Sequence, residues 1–187
     1  MTAAAIVLAL LAVAGPAAGA VLALPDADKR EAIRVGERSV TSEAFDAEWR
    51  VANARGDVAL VMTPFHRLVL AARNAAFRNE PLKPGEPDKL LAEQKDRLVL
   101  WVQLRGARED FARFYQPRLM VGEREVKAAF VQNERTAARQ EDGTFLARCV
   151  YTFPTREITD RSPVRLVVAD ADGRQVAVFD IDLGAMR

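Results

Sequence analysis

The chain has 187 residues, 50% of them apolar, with 27 Lys and Arg against 26 Asp and Glu. A formal charge of +1 excludes the basic footprint of a nucleic-acid binder, so no nucleic-acid partner is expected. One Cys and one His exclude an internal disulfide and a Cys/His zinc site, and no cofactor or metal is expected.

Residues 3–24 carry no charge. As a helix they would reach about 33 Å, against a hydrocarbon core of about 30 Å. Two readings stay open. A retained anchor would use the whole stretch, with Gly15 and Pro16 as a kink. A cleaved signal would use Ile6 to Val13 as its apolar core and Ala18-Gly19-Ala20 as its cleavage site. No Lys or Arg precedes the apolar run, which favours the anchor. Residues 1–25 are therefore read as an N-terminal transmembrane helix that meets membrane lipid through 3–24. The Ala-x-Ala signature places the body on the periplasmic side of a bacterial inner membrane, while Lys29, Arg30 and Arg34 lean the other way.

Asp26 to Arg34 reads as a charged linker, and Val35 to Val40 as a short strand. Ser42 then caps a helix through Ala54, with Phe45, Trp49 and Ala52 on one face and Gly56 at its end. Residues 26–57 are thus a linker with one short amphipathic helix, and 58–187 are the main β domain. In that domain Val58–Met62 and Leu68–Leu70 flank a break at Thr63-Pro64. Pro81 to Pro87 is a loop, and Leu98 to Leu104 is a strand closed by Arg105-Gly106. Phe111, Phe114 and Tyr115 form an aromatic cluster before Pro117. Residues 123–140 fit helix or strand, and context favours a strand in their first part.

The last third alternates more clearly. Phe145, Ala147, Cys149, Tyr151 and Phe153 take one face of a strand ended by Pro154. Val164–Ala169 and Gln175–Leu183 form a hairpin around Asp170-Ala171-Asp172-Gly173. Ala177, Phe179, Ile181 and Leu183 share one face, opposite Asp180 and Asp182.

No residue set announces catalysis. Any Ser-His-Asp or Cys-His device would have to pass through His66, which has no signature around it and reads as a surface or sheet histidine. Cys149 lies on the inward strand face and reads as a small apolar residue. The D-x-D-G turn lacks the remaining oxygen ligands of a calcium loop, and the glycines outside the N-terminal segment are too scattered to cradle a phosphate. Glu109-Asp110 and Glu141-Asp142 read as solvated turns. The expectation is a protein without catalytic residues.

Two family resemblances arise from these patterns. Residues 60–183 resemble the immunoglobulin-like, telokin-type β-sandwich domains of bacterial membrane-anchored or secreted proteins. The shared order is Leu68-Val69-Leu70, the Pro81–Pro87 loop, Leu98–Leu104, the Phe111–Tyr115 turn and the Val164–Leu183 hairpin. That resemblance implies binding or scaffolding and transfers no site residue. Val35–Trp49 (VGERSVTSEAFDAEW) and Leu90–Asn133, with KDRLVLWVQLRGARE, are similar to the N-terminal chaperone region of periplasmic SurA-like foldases, without a parvulin domain. The expected protein is mainly β, an immunoglobulin-like sandwich on a membrane helix. Its expected role is a non-catalytic accessory or scaffolding subunit bound to integral membrane subunits, for example of a respiratory or photosynthetic complex. A SurA-like chaperone and a small-ligand-binding domain are the alternatives. Aromatics beside arginines concentrate at interface hot spots, so Phe111, Arg113, Phe114 and Tyr115 are the candidate interface.

Overall fold

The computed structural model describes residues 24–159 and 162–187. In chain order it holds α1 (Asp26–Arg38), β1 (Arg50–Ala52), β2 (Val58–Met62), α2 (Pro64–Phe77) and α3 (Glu86–Gln94). Then follow β3 (Arg97–Gly106), β4 (Gln116–Val121), β5 (Arg124–Lys127), β6 (Phe130–Gln132) and β7 (Ala138–Arg139). The last strands are β8 (Phe145–Pro154), β9 (Pro163–Ala169) and β10 (Gln175–Asp182).

The protein is mainly β, with two antiparallel sheets. The first runs β1-β2-β3-β8-β6, with β7 also on β8, and the second runs β10-β9-β4-β5. Alternation sets the inner faces. Strand β3 turns Leu98, Leu100, Val102 and Leu104 inward, opposite Phe153, Tyr151, Cys149 and Ala147 of β8. In the second sheet Leu166 faces Leu119 on one side and Phe179 on the other. Both inner faces and the buried residues of α1 and α2 contribute to one contiguous core. Each large side chain fully buried there stabilises by roughly 1.5–3 kcal/mol.

The expected hairpin is present, turned by Gly173 at φ +80°. The stretch left open between helix and strand contains β5, β6 and β7.

The first half departs from its sequence reading. Residues 26–38 are a helix and not a linker followed by a strand. Asp26 and Asp28 sit at its positive end and Arg38 at its negative end, as the helix dipole favours. Its buried face is made of small residues, Ala32 and Gly36, which a search for large apolar residues passes over. Gly36 is needed for contact, because a Cβ there would meet the Val69 carbonyl oxygen and the Ala72 Cβ at 2.7 Å.

The helix expected from Ser42 to Ala54 is also absent. Phe45 and Trp49 meet through a left-handed Asp46 (φ 70°) and one 3-10 turn, and Arg50–Ala52 then pairs with β2. The strand expected at Leu68–Leu70 is the middle of α2. Thr63-Pro64 starts that helix instead of breaking a strand. The Thr63 hydroxyl accepts from the His66 N–H at 3.0 Å, and proline fills the first helical position, where no N–H is needed. A third helix, α3, follows the proline-rich loop. In place of the single amphipathic helix expected from the sequence, the described residues hold three α-helices.

The N-terminal anchor lies, up to residue 23, outside the described residues. Among the described residues no helix is long and apolar enough to cross a membrane.

Candidate functional site on the outer face of the first sheet

The parity that buries Leu98, Leu100 and Leu104 forces Val99, Trp101 and Gln103 to the opposite face of β3. Cross-strand register extends that face into rows. Leu60 of β2, Trp101, Val150 of β8 and Gln132 of β6 form one row. Met62, Val99, Thr152 and Phe130 form the next. An outer sheet face that meets only water is normally polar, yet this one centres on Trp101, 42% exposed, and Phe130, 51% exposed.

Helix α3 lies along one border of this face and turns it into a groove. A cavity of about 260 Å³ is lined by Leu90 and Gln94 of α3, Met62, Val99 and Trp101 of the sheet, and the Arg67, Glu93 and Arg97 rim. Gln94 is 9% exposed. Its side-chain amide donates to the Met62 carbonyl, while its Oε1 has no hydrogen-bond partner among the described residues. Arg67 and Glu93 stand 3.8 Å apart. The guanidinium groups of Arg97, and of Arg50 and Arg148 further along the same face, make no ion pair within 4.0 Å among the described residues. The face therefore combines an apolar centre, one buried acceptor without a donor and a cationic rim.

The expected interface residues divide into two pairs. Phe111 and Tyr115 pack edge to face at 5.8 Å. Phe111 fills the space over Gly106, where any Cβ would fall inside its ring. Burial pushes the Tyr115 phenol up. Asn133 ties this plug to the core, donating to the Tyr115 carbonyl at 2.8 Å and accepting from the Tyr151 hydroxyl at 3.0 Å. Phe114, 65% exposed, and Arg113, whose guanidinium lies 5.2 Å from the Phe114 ring, point outward. Of the four, Arg113 and Phe114 are exposed and Phe111 and Tyr115 are half-buried.

His66 is neither a surface nor a sheet residue. It lies fully buried in the first turn of α2, its ring stacked on Trp49 at 4.1 Å. Nδ1 is 3.1 Å from the Val61 carbonyl, which can only accept, so Nδ1 carries the proton. Nε2 then faces Asp46 Oδ1 at 3.7 Å, and neither atom has a hydrogen-bond partner among the described residues. Burial holds the imidazole below its ordinary pKa, against the Val61 carbonyl and the Asp46 carboxylate, which favour the charged form. Nearby, the Trp49 indole and the Thr63 hydroxyl both donate to the Arg187 main-chain oxygen, at 2.8 and 2.5 Å. These bonds fasten the last described segment to the base of α2. Cys149 is buried on the inner face, and burial pushes its thiol up. Among the described residues no group of three or more His, Cys, Asp and Glu side chains is arranged to hold a metal.

Trp101 and Gln94 were not singled out by sequence reasoning. For Trp101 the signal was present, since the alternation that sends Leu100 and Val102 inward sends it outward. For Gln94 there was none, because its burial depends on how α3 crosses the sheet.

No family model matches the chain, and no curated protein matches it. Among solved structures, a novel protein of unknown function from Burkholderia pseudomallei is similar with a TM-score of 0.44 and 10% identity. The match covers 84% of this chain and 93% of that one.

Proposed function

We propose that this protein is a non-catalytic binding and scaffolding subunit, which engages integral membrane partners through the outer face of its first sheet. The observation that carries the reading is the apolar centre of that face, with Trp101 and Phe130 exposed side by side with Val99 and Val150. Contiguous apolar surface ringed by polar groups is the usual mark of a protein contact. The two antiparallel sheets around one core support an immunoglobulin-like sandwich as the architecture. Residues 3–24 would hold the body at a bacterial inner membrane, on its periplasmic side, and raise its effective concentration against integral partners.

The test uses the full chain in its native membrane, solubilised in mild detergent. Trp101→Asp with Phe130→Asp should release the protein from its complex while its melting temperature stays within a few degrees. Retention of the complex by that variant would remove the face from the account. A chaperone acting alone would instead suppress aggregation of unfolded clients, and the same double variant would abolish that suppression.

A further inference from the structure

We infer that the groove between α3 and the first sheet seats an extended, acidic-flanked peptide segment of the partner, with one large apolar side chain set on Trp101. The inference rests on the proposed function and adds the chemistry of what is bound.

Three observations select this occupant. The first is volume. A cavity of about 260 Å³ accepts one large side chain, whereas drug-sized ligands fill roughly 300–1,000 Å³. The apolar surface continues out of the groove across Val150 to Phe130, so the occupant is longer than the cavity.

The second is the orphaned acceptor. Gln94 Oε1 is buried with no donor among the described residues, a state that ordinarily costs about 1–3 kcal/mol. Gln94 lines the groove, so a turn of its side chain would bring Oε1 to a free N–H on a segment seated there. An extended chain presents such groups along both of its edges, while a helix interior has consumed its own in i to i−4 bonds. The acceptor thus favours an extended segment over a docked helix.

The third is charge. Arg97 stands at the groove mouth, and Arg50 and Arg148 lie beyond it on the same face, none with an ion pair among the described residues. Against them stand Glu93, already beside Arg67 at 3.8 Å, and Glu134, whose carboxylate accepts from the Arg148 backbone N–H at 2.6 Å. The rim is net cationic. A partner whose apolar residue is flanked by Asp or Glu meets charges of opposite sign, and one flanked by Lys is repelled.

Calorimetric titration of the full chain in detergent tests this with two synthetic peptides. One is acetyl-Glu-Asp-Leu-Phe-Val-Asp-Glu-amide, and the other carries Lys at the four acidic positions. The acidic peptide should bind at least tenfold more tightly, with the difference shrinking as salt is raised. Trp101→Ser should remove binding, and Arg97→Gln should weaken the acidic peptide alone. N-methylation along the central Leu-Phe-Val backbone should weaken binding by about five- to tenfold, the loss of one hydrogen bond, without altering the protein.

Equal affinity for the two peptides, or indifference to N-methylation, overturns the inference. So does failure of both peptides to bind. If Trp101→Asp with Phe130→Asp still frees the protein from its membrane complex in those cases, the proposed function stands and only the occupant was wrong. If that variant also stays in the complex, the proposed function falls with it.

Discussion

Gly36→Ala opposes two effects of known sign at one atom. Alanine is the better helix former by about 0.8–1.0 kcal/mol, so on a solvated helix the change would stabilise. Here the added Cβ would press on the Val69 carbonyl oxygen, stand 2.7 Å from the Ala72 Cβ and lie 3.0 Å from the Arg73 backbone nitrogen. Two of these three atoms are backbone inside α2 and cannot rotate away, so the helices must separate. Overpacking of that kind typically costs 1–3 kcal/mol. Separation also loosens Ala32 and Val69, which are fully buried at present. The clash exceeds the propensity gain, and the net effect should be a loss of about 1–2 kcal/mol, with Gly36→Val worse because of its branched Cβ. Urea denaturation of the full chain in detergent reads this as a lower midpoint at constant slope. A domain of this size should melt about 2–4 °C lower for each kcal/mol lost. An unchanged or raised midpoint for Gly36→Ala would refute the close approach of α1 to α2.

Phe179 is buried opposite Leu166, so Phe179→Ala should cost roughly 3–5 kcal/mol in denaturant melts. Its neighbour Asp180 faces water and pairs with Arg165 at 2.5 Å, so Asp180→Ala should cost under about 1 kcal/mol. Thr63→Ala removes both the α2 cap and the bond to the Arg187 main-chain oxygen, and should cost roughly 1–2 kcal/mol. His66 is held neutral by burial, so its folded pKa lies below its unfolded value of about 6.5. The unfolded chain then binds the proton first. This contribution is fully present above about pH 6.5 and is lost as pH falls towards the folded pKa, by up to about 1.4 kcal/mol per pH unit. Urea midpoints should drop between pH 7.5 and 5.5 for the wild type and stay flatter for His66→Gln; parallel profiles would contradict the buried neutral imidazole. Arg113→Ala with Phe114→Ala should leave the melting temperature unchanged, whereas Tyr115→Ala should lower it, since Tyr115 packs on Phe111.

The elements that sequence made legible are those whose signal is local and period two. Phe145 to Phe153 and Gln175 to Leu183 alternate well enough that their inner faces can be written down before any partner strand is known. Helices α1 and α2 were misread for a shared reason. Their packing uses Ala32, Gly36, Ala72 and Ala75, residues whose small size matters only once a second helix is alongside. Val35 and the Leu68-Val69-Leu70 run add β-like texture, and Thr63-Pro64 suits a helix start as well as a strand break. Phe45 and Trp49 had the spacing of one helical face, but the left-handed Asp46 brings them together without a helix. The candidate site was half legible for related reasons. Outward Trp101 follows from strand parity, while Gln94, Phe130 and the arginine rim meet only through the strand order β3-β8-β6 and the crossing of α3. The Phe111–Tyr115 segment was read by composition alone, and composition does not separate a ring that plugs a core from one that awaits a partner.

In the proposed function the outer face of the first sheet is the surface that meets the partner. Photo-crosslinking in native membranes tests it most directly, with p-benzoylphenylalanine placed singly at position 101, on that face, and at position 180, on the outer face of the second sheet. One discrete protein adduct is expected from position 101, lost when Phe130→Asp is added, and none from position 180. Adducts of equal yield from both positions, or an adduct from position 180 alone, would contradict it.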